Sequence, residues 1–138
     1  MELLARGRDA DVFVLDEARV LRRYRDGRSA RHEADLIGRL ADAGFPTPRA
    51  VAYEGPDLVL ERVAGPDLMT AVGAGLLSLD DAGVALADLH RRLHALPWDG
   101  GTLLHLDLHP STCTGARAAP CCSTGRTPAS ARPASTWP

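Results

Sequence analysis

The sequence predicts an α+β fold: a five-stranded antiparallel sheet interrupted by one helix, followed by a helical segment. Three observations predict it. Five short apolar segments fall within the first 63 residues, and those adjacent in sequence are joined by turns too short for parallel crossovers. Two longer stretches, 29–43 and 78–96, carry apolar residues at helical spacing. The chain has 138 residues, 45% of them hydrophobic and 25% charged, enough to bury a core of ordinary size.

The elements follow in order. Residues 2–6 and 11–15 read as strands separated by the polar loop Gly7-Arg8-Asp9-Ala10. Asp16-Glu17-Ala18 makes a turn, and residues 19–24 read as a third strand, with Val20, Arg22 and Tyr24 on one face because side chains alternate. Residues 29–43 read as a helix capped by Ser29, with Leu36, Ile37 and Leu40 on one face and Gly44 suited to the left-handed position past its end. Pro46 and Pro48 stop it. Residues 50–53 and 58–63 are two more strands hinged by Gly55-Pro56-Asp57. Ala64-Gly65-Pro66-Asp67 breaks the sheet as a connector, and a weak helix runs through Ala74. Residues 78–96 form the strongest helix. Ser78 with Asp81 resembles a capping box, Ala82, Ala85, Leu86, Leu89, Leu93 and Leu96 recur at helical spacing, and Pro97 closes it.

Charge and composition exclude several classes. The formal net charge is −2, which argues against a nucleic-acid partner. No apolar run approaches the roughly 18 residues of a membrane span, and the start, MELLARGRDA, lacks a secretory pattern. A cytoplasmic protein without nucleic-acid or membrane partners is expected. All 16 basic residues are arginine, so lysine chemistry and the lysine-containing phosphate loop are excluded.

The averages hide a break at position 110. Residues 1–110 hold all 18 acidic residues, 13 of the 16 arginines and every Leu, Ile, Val, Met, Phe and Tyr. Residues 111–138 hold all three cysteines, no acid and Trp137 as their one large apolar residue. Such a segment has little apolar area to offset an ordering cost of about 1–2 kcal/mol per residue, and no stable fold is expected of it. Cys113, Cys121 and Cys122 lack the spacing of a zinc site.

Few residues stand out chemically. Arg22 on the sheet's inner face and Glu33 on the next helix could form a partly buried pair that points a cation at phosphates; two solvated charges are the plain alternative. Gly7 could let backbone approach a phosphate, although a hairpin turn explains it equally. His105-x-Asp107-x-His109 reads as a metal cluster, as a loop in which Asp107 accepts a proton from a substrate hydroxyl, or as a polar loop. His90 and His94 read as surface or packing residues.

Taken together these pieces resemble the aminoglycoside phosphotransferase family, a branch of the protein-kinase-like superfamily. Arg19-Val20-Leu21-Arg22-Arg23-Tyr24 is similar to the family's third strand with its phosphate-contacting cation, and Glu33 stands at the helix partner's place. Leu58-Val59-Leu60-Glu61-Arg62-Val63 looks like the strand and hinge beside an adenine. Leu86-Ala87-Asp88-Leu89-His90 resembles the helix before the catalytic loop, and His105-Leu106-Asp107-Leu108-His109-Pro110 the loop itself.

The resemblance implies a kinase-like N-terminal lobe and hinge over 1–66, the start of a helical C-terminal lobe with the catalytic loop over 67–110, and a low-complexity tail over 111–138. It implies ATP and Mg2+ as cofactors, a small-molecule hydroxyl as substrate, Asp107 as catalytic base, and Gly7, Arg22, Glu33, Glu61 and Val63 as nucleotide-binding residues.

Departures set limits on activity. Arg22 stands where lysine is usual, Leu106 where a small residue is common, and Thr112 at the place of a metal-binding Asn. No aspartate follows Asp107 to serve as a second metal ligand. The break at 110 is read as a frame change. One restored base at Ser111-Thr112-Cys113 lets the chain continue Ser-Asn-Val, and residues 121–126 then read Val-Leu-Leu-Asp-Trp-Thr, like the family's second metal motif. The expected function is an ATP-dependent phosphotransferase of small-molecule hydroxyls, inactive as residues 1–138. The alternative is a non-enzymatic nucleotide-binding fragment or pseudoenzyme. The apolar face of helix 78–96 is expected to lack its cover.

Overall fold

The structure, a computed structural model, describes residues 1–99, 101–104, 108 and 110–114, and the backbone of 121–122 and 129–131. Contacts divide the chain into two units, Met1–Ala64 and Gly65–Pro138.

In the first unit, strands β1 (Glu2–Arg6), β2 (Ala10–Val14) and β3 (Arg19–Tyr24) precede helix α1 (Arg31–Asp42), and β4 (Ala50–Glu54) and β5 (Asp57–Glu61) follow it. They form the expected five-stranded sheet, in the order β1-β2-β3-β5-β4, with every neighbouring pair antiparallel. β5 inserts between β3 and β4, which places β3 at the centre of the sheet.

Alternation on β3 gives the site its frame. Val20, Arg22 and Tyr24 project to one face, where Val12 of β2 and Leu58 of β5 stand opposite Arg22 and Val14 and Leu60 opposite Val20. That face carries the main core: Ala10, Val20, Tyr24, Leu58 and Leu60 from the sheet, with Ala30, Ala34 and Ile37 from α1 and its entry. Burying a side chain such as Ile37 or Leu58 completely contributes about 1.5–3 kcal/mol, so α1 is held by its apolar stripe.

The ends of α1 differ from expectation at one terminus. Ala30 is the N-cap and has no side-chain cap bond. Ser29 lies one residue further out, and its Oγ accepts from the Arg31 N–H at 3.3 Å. At the other end Gly44 has φ +76° and its N–H reaches the Ala41 carbonyl at 2.9 Å. That left-handed conformation disfavours a side chain.

The second unit contains α2 (Leu68–Gly73), α3 (Leu79–His94), β6 (Thr102–Leu104) and a 3-10 turn at Pro110–Thr112. Its remaining strands are β7 (Cys113–Thr114), β8 (Cys121–Cys122) and β9 (Ala129–Ala131). Asp67 caps α2 by accepting from the Thr70 N–H at 2.9 Å. Ser78 caps α3 more fully: its Oγ accepts from the Asp81 N–H at 3.0 Å and donates to the Asp81 carboxylate at 2.7 Å.

Two expectations are corrected in this unit. The apolar face of α3 is covered in part: Ala82, Leu89 and Leu93 are buried, as are Leu68, Ala71 and Leu103 of α2 and β6, while Ala85, Leu86 and Leu96 are half-buried. The tail also joins in strand pairing, since β9 pairs with β6 and β8 with β7. Ladder bonds join backbone groups and need no apolar side chains, which is why composition alone does not reveal them.

Candidate functional site

The first unit brings Arg22 and Glu33 together as a buried pair. Arg22 Nη1 lies 3.0 Å from Glu33 Oε1, and the two side chains are 10% and 3% exposed. The sequence accounts for the meeting. Alternation sends Arg22 to the α1 side of the sheet, and the helical period that buries Ala34 and Ile37 turns Glu33 the same way. With Val12 and Leu58 as its cross-strand neighbours, the guanidinium leaves water only because a carboxylate meets it. Solvated surface charges are therefore not what this pair is.

Tyr24 and Arg28 complete the cluster. The Tyr24 hydroxyl donates to Glu33 Oε2. The Arg22 guanidinium carbon lies 5.5 Å from the Tyr24 ring centre and that of Arg28 only 4.1 Å away, within reach of the ring's quadrupole. Burial, then the bond to Glu33, pushes the Tyr24 phenol up to about 12, against a smaller downward pull from Arg22. The phenol therefore remains a donor across the physiological range.

Gly7 lies in the β1–β2 loop. Its N–H donates to the Ala10 carbonyl at 2.9 Å, and a Cβ at this position would sit 2.9 Å from that same oxygen. The tight turn itself requires glycine here. A clamp from the end of β3 holds the loop. Arg25 Nη2 donates to the Gly7 carbonyl at 2.9 Å and also to the Arg8 carbonyl. Its Nη1 reaches Asp11 Oδ1 at 3.0 Å, and its backbone N–H reaches the Asp9 carbonyl at 3.1 Å. Arg28 adds an ion pair to Asp9 at 3.6 Å.

At the other edge of the unit, the Glu61 N–H donates to the Arg49 carbonyl at 2.9 Å and the Arg62 N–H to the Ala18 carbonyl at 2.8 Å. Glu61 Oε2 also accepts from the Arg49 N–H at 3.3 Å. Val63 follows the last ladder pair, and its N–H has no backbone acceptor among the described residues.

His105, Leu106, Asp107 and His109 lie outside the described residues, and with them the expected catalytic base. Leu108 is buried, and Thr112 ends the 3-10 turn. His90 is a packing residue, its Nδ1 donating to the Leu86 carbonyl at 3.0 Å.

Of the six predicted site residues, the structure joins Arg22 and Glu33 directly and places Gly7, Glu61 and Val63 elsewhere in the same unit. Sequence reasoning missed the roles of Tyr24, Arg25 and Arg28. Tyr24 carried a signal, since it shares a sheet face with Arg22 two residues away. The arginines carried none, because a carbonyl-directed guanidinium leaves no pattern in sequence.

A five-stranded antiparallel sheet whose central strand buries a cation against a helix carboxylate, beside a tight glycine loop, has the fold of a kinase-like N-terminal lobe. The sequence matches the profile of the Phosphotransferase enzyme family, APH, over residues 1–119, and the chain belongs to that family. No curated protein matches it.

Among solved structures it is similar to the streptomycin–ATP–APH(2")-IIa ternary complex, with 18% identity and a TM-score of 0.52 over 71% of this chain and 36% of that one. The gentamicin–APH(2")-IIa complex gives 17% identity and a TM-score of 0.52 over 71% and 35%. The chain thus spans about a third of the length of these structures. The likeness is one of fold.

Proposed function

We propose that this chain is the nucleotide-binding part of a phosphotransferase that moves the γ-phosphoryl group of ATP to a hydroxyl of a small molecule. The observation that carries the reading is the buried Arg22–Glu33 pair at the centre of the sheet. A guanidinium held in an apolar strip against a carboxylate suits phosphate oxygens, which it can meet with paired donors. The Gly7 loop would cover the phosphates, and the Val63 N–H would offer the adenine a donor, since those of Glu61 and Arg62 are engaged. Asp107 would accept the substrate's hydroxyl proton as the nucleophile attacks. The APH(2")-IIa structures of similar fold are complexes with streptomycin and ATP and with gentamicin; an aminoglycoside is the first substrate class to test, with other small alcohols beside it.

Magnesium is a different case. Among the described residues no group of three or more His, Cys, Asp or Glu side chains is placed to hold a metal ion. Thr112 stands at the position that the family resemblance gives to a metal-binding Asn. The described residues do not fit the ion. Phosphoryl transfer depends on charge neutralisation at the transferred group, so residues 1–138 alone should bind ATP weakly and transfer nothing.

Purified protein incubated with labelled ATP, magnesium and a panel of aminoglycosides and simple alcohols checks this, with no phosphorylated product expected. Clear turnover would contradict the inactive reading. A version restored to the alternative frame after residue 110 should regain turnover and lose it with Asp107→Asn. Restored protein that shows no turnover, or full activity after Asp107→Asn, would count against the phosphotransferase reading.

A further inference from the structure

We infer that Tyr24 is a positioning residue for the phosphate-binding guanidinium of Arg22, acting through Glu33; this rests on the nucleotide-binding reading above. Glu33 has two oxygens, and each has a partner of its own: Oε1 meets Arg22 Nη1 at 3.0 Å, and Oε2 accepts the Tyr24 hydroxyl. A carboxylate held at one oxygen alone can rotate about its last torsion and take its cation with it. Anchoring Oε2 removes that freedom, so Arg22 is presented in one direction. Pre-set geometry of this kind contributes to ligand binding by lowering the ordering cost on association.

The phenol is itself held in place. Tyr24 is 6% exposed, and its ring packs within the sheet–helix core under the Arg28 guanidinium at 4.1 Å. Arg28 is in turn anchored to Asp26 at 3.0 Å and to Asp9 of the β1–β2 loop at 3.6 Å. One chain of contacts therefore runs from the loop beside Gly7 through Arg28, Tyr24 and Glu33 to Arg22. Neutral hydroxyl and charged carboxylate make a charge-assisted bond, about twice as strong as a neutral pair.

The test compares ATP with adenosine. Tyr24→Phe keeps the ring and the Arg28 contact and removes only the hydroxyl. Its affinity for ATP should fall about tenfold, the loss expected for one net hydrogen bond, while its affinity for adenosine, which has no phosphate for Arg22, should stay unchanged. A merely structural Tyr24 would weaken both ligands together, and that result would overturn the inference, as would an unchanged ATP affinity.

Should Tyr24→Phe fail to fold, the native tyrosine carries the test. In a Tyr53→Phe background Tyr24 is the only tyrosine left; ATP should perturb its absorbance and adenosine should not. No ATP-dependent perturbation would overturn the inference. Absence of ATP binding by the unmodified protein would instead bring down the nucleotide-binding reading and this role with it. Normal ATP binding that Tyr24→Phe leaves intact removes the Tyr24 role alone.

Discussion

Arg22 and Glu33 depend on each other because each is buried. Removing one partner leaves the other buried without its opposite charge, so Glu33→Ala should destabilise the first unit by about 3–5 kcal/mol. Replacing both at once, as Arg22→Met with Glu33→Leu, should cost far less, because no lone charge remains. Urea unfolding of the two variants checks the difference. Tyr24 adds a dependence on alkaline pH, with Glu33, Arg22 and Arg28 as the charged groups that face it. Its folded value, about 12, lies above the roughly 10 of an exposed phenol. The stability it contributes is whole below pH of about 10 and is lost as pH rises towards about 12. The chain has no lysine, so few other groups titrate in that window. Unfolding midpoints compared across it should fall in the native protein and fall less in Tyr24→Phe. The pair was legible in the sequence because strand alternation and helix period both point inward. The hydroxyl bond was not, because alternation assigns a face and leaves the partner open.

At the scale of elements, local chemistry decided most boundaries. β3 runs over the residues its alternation marks, Arg19–Tyr24. β5 ends at Glu61, two residues before the apolar pattern does; the Arg62 N–H still donates to the Ala18 carbonyl, in register with the Arg19–Glu61 pair, and the pairing stops there. The α3 cap was readable from Ser78 and Asp81, whose reciprocal bonds close the first turn. Ser78→Ala should cost about 1 kcal/mol, seen as a lower unfolding midpoint of the second unit, and Ser78→Asp should recover most of it. The α1 cap was misplaced by one residue: serine preference at caps is strong, but burial of Ala30 fixed where the helix begins. Pairing of β6 with β9 could not be foreseen, since Ala129-Ser130-Ala131 is shorter than the 4–8 residues a strand pattern needs and has no β-branched or aromatic residue.

For the molecule as a whole, the order of elements, strand-strand-strand-helix-strand-strand-helix-helix, was recoverable from turns and periodicity, and the structure has them in that order. The site was recoverable only in part. Residue types identified the cation and its carboxylate, while the loop clamp formed by Arg25 depends on backbone carbonyls that a sequence does not display. The proposed phosphate-reading nucleotide site of this chain rests on the buried Arg22–Glu33 pair. Calorimetric titration with ATP tests it most directly, on the native protein and on the Arg22→Met with Glu33→Leu variant, which loses the cation without leaving a lone buried charge. Weak, saturable ATP binding by the native protein that disappears in the variant, with cooperative unfolding retained in both, is the predicted result. Equal ATP binding by the two proteins, or none by the native one, would contradict the claim.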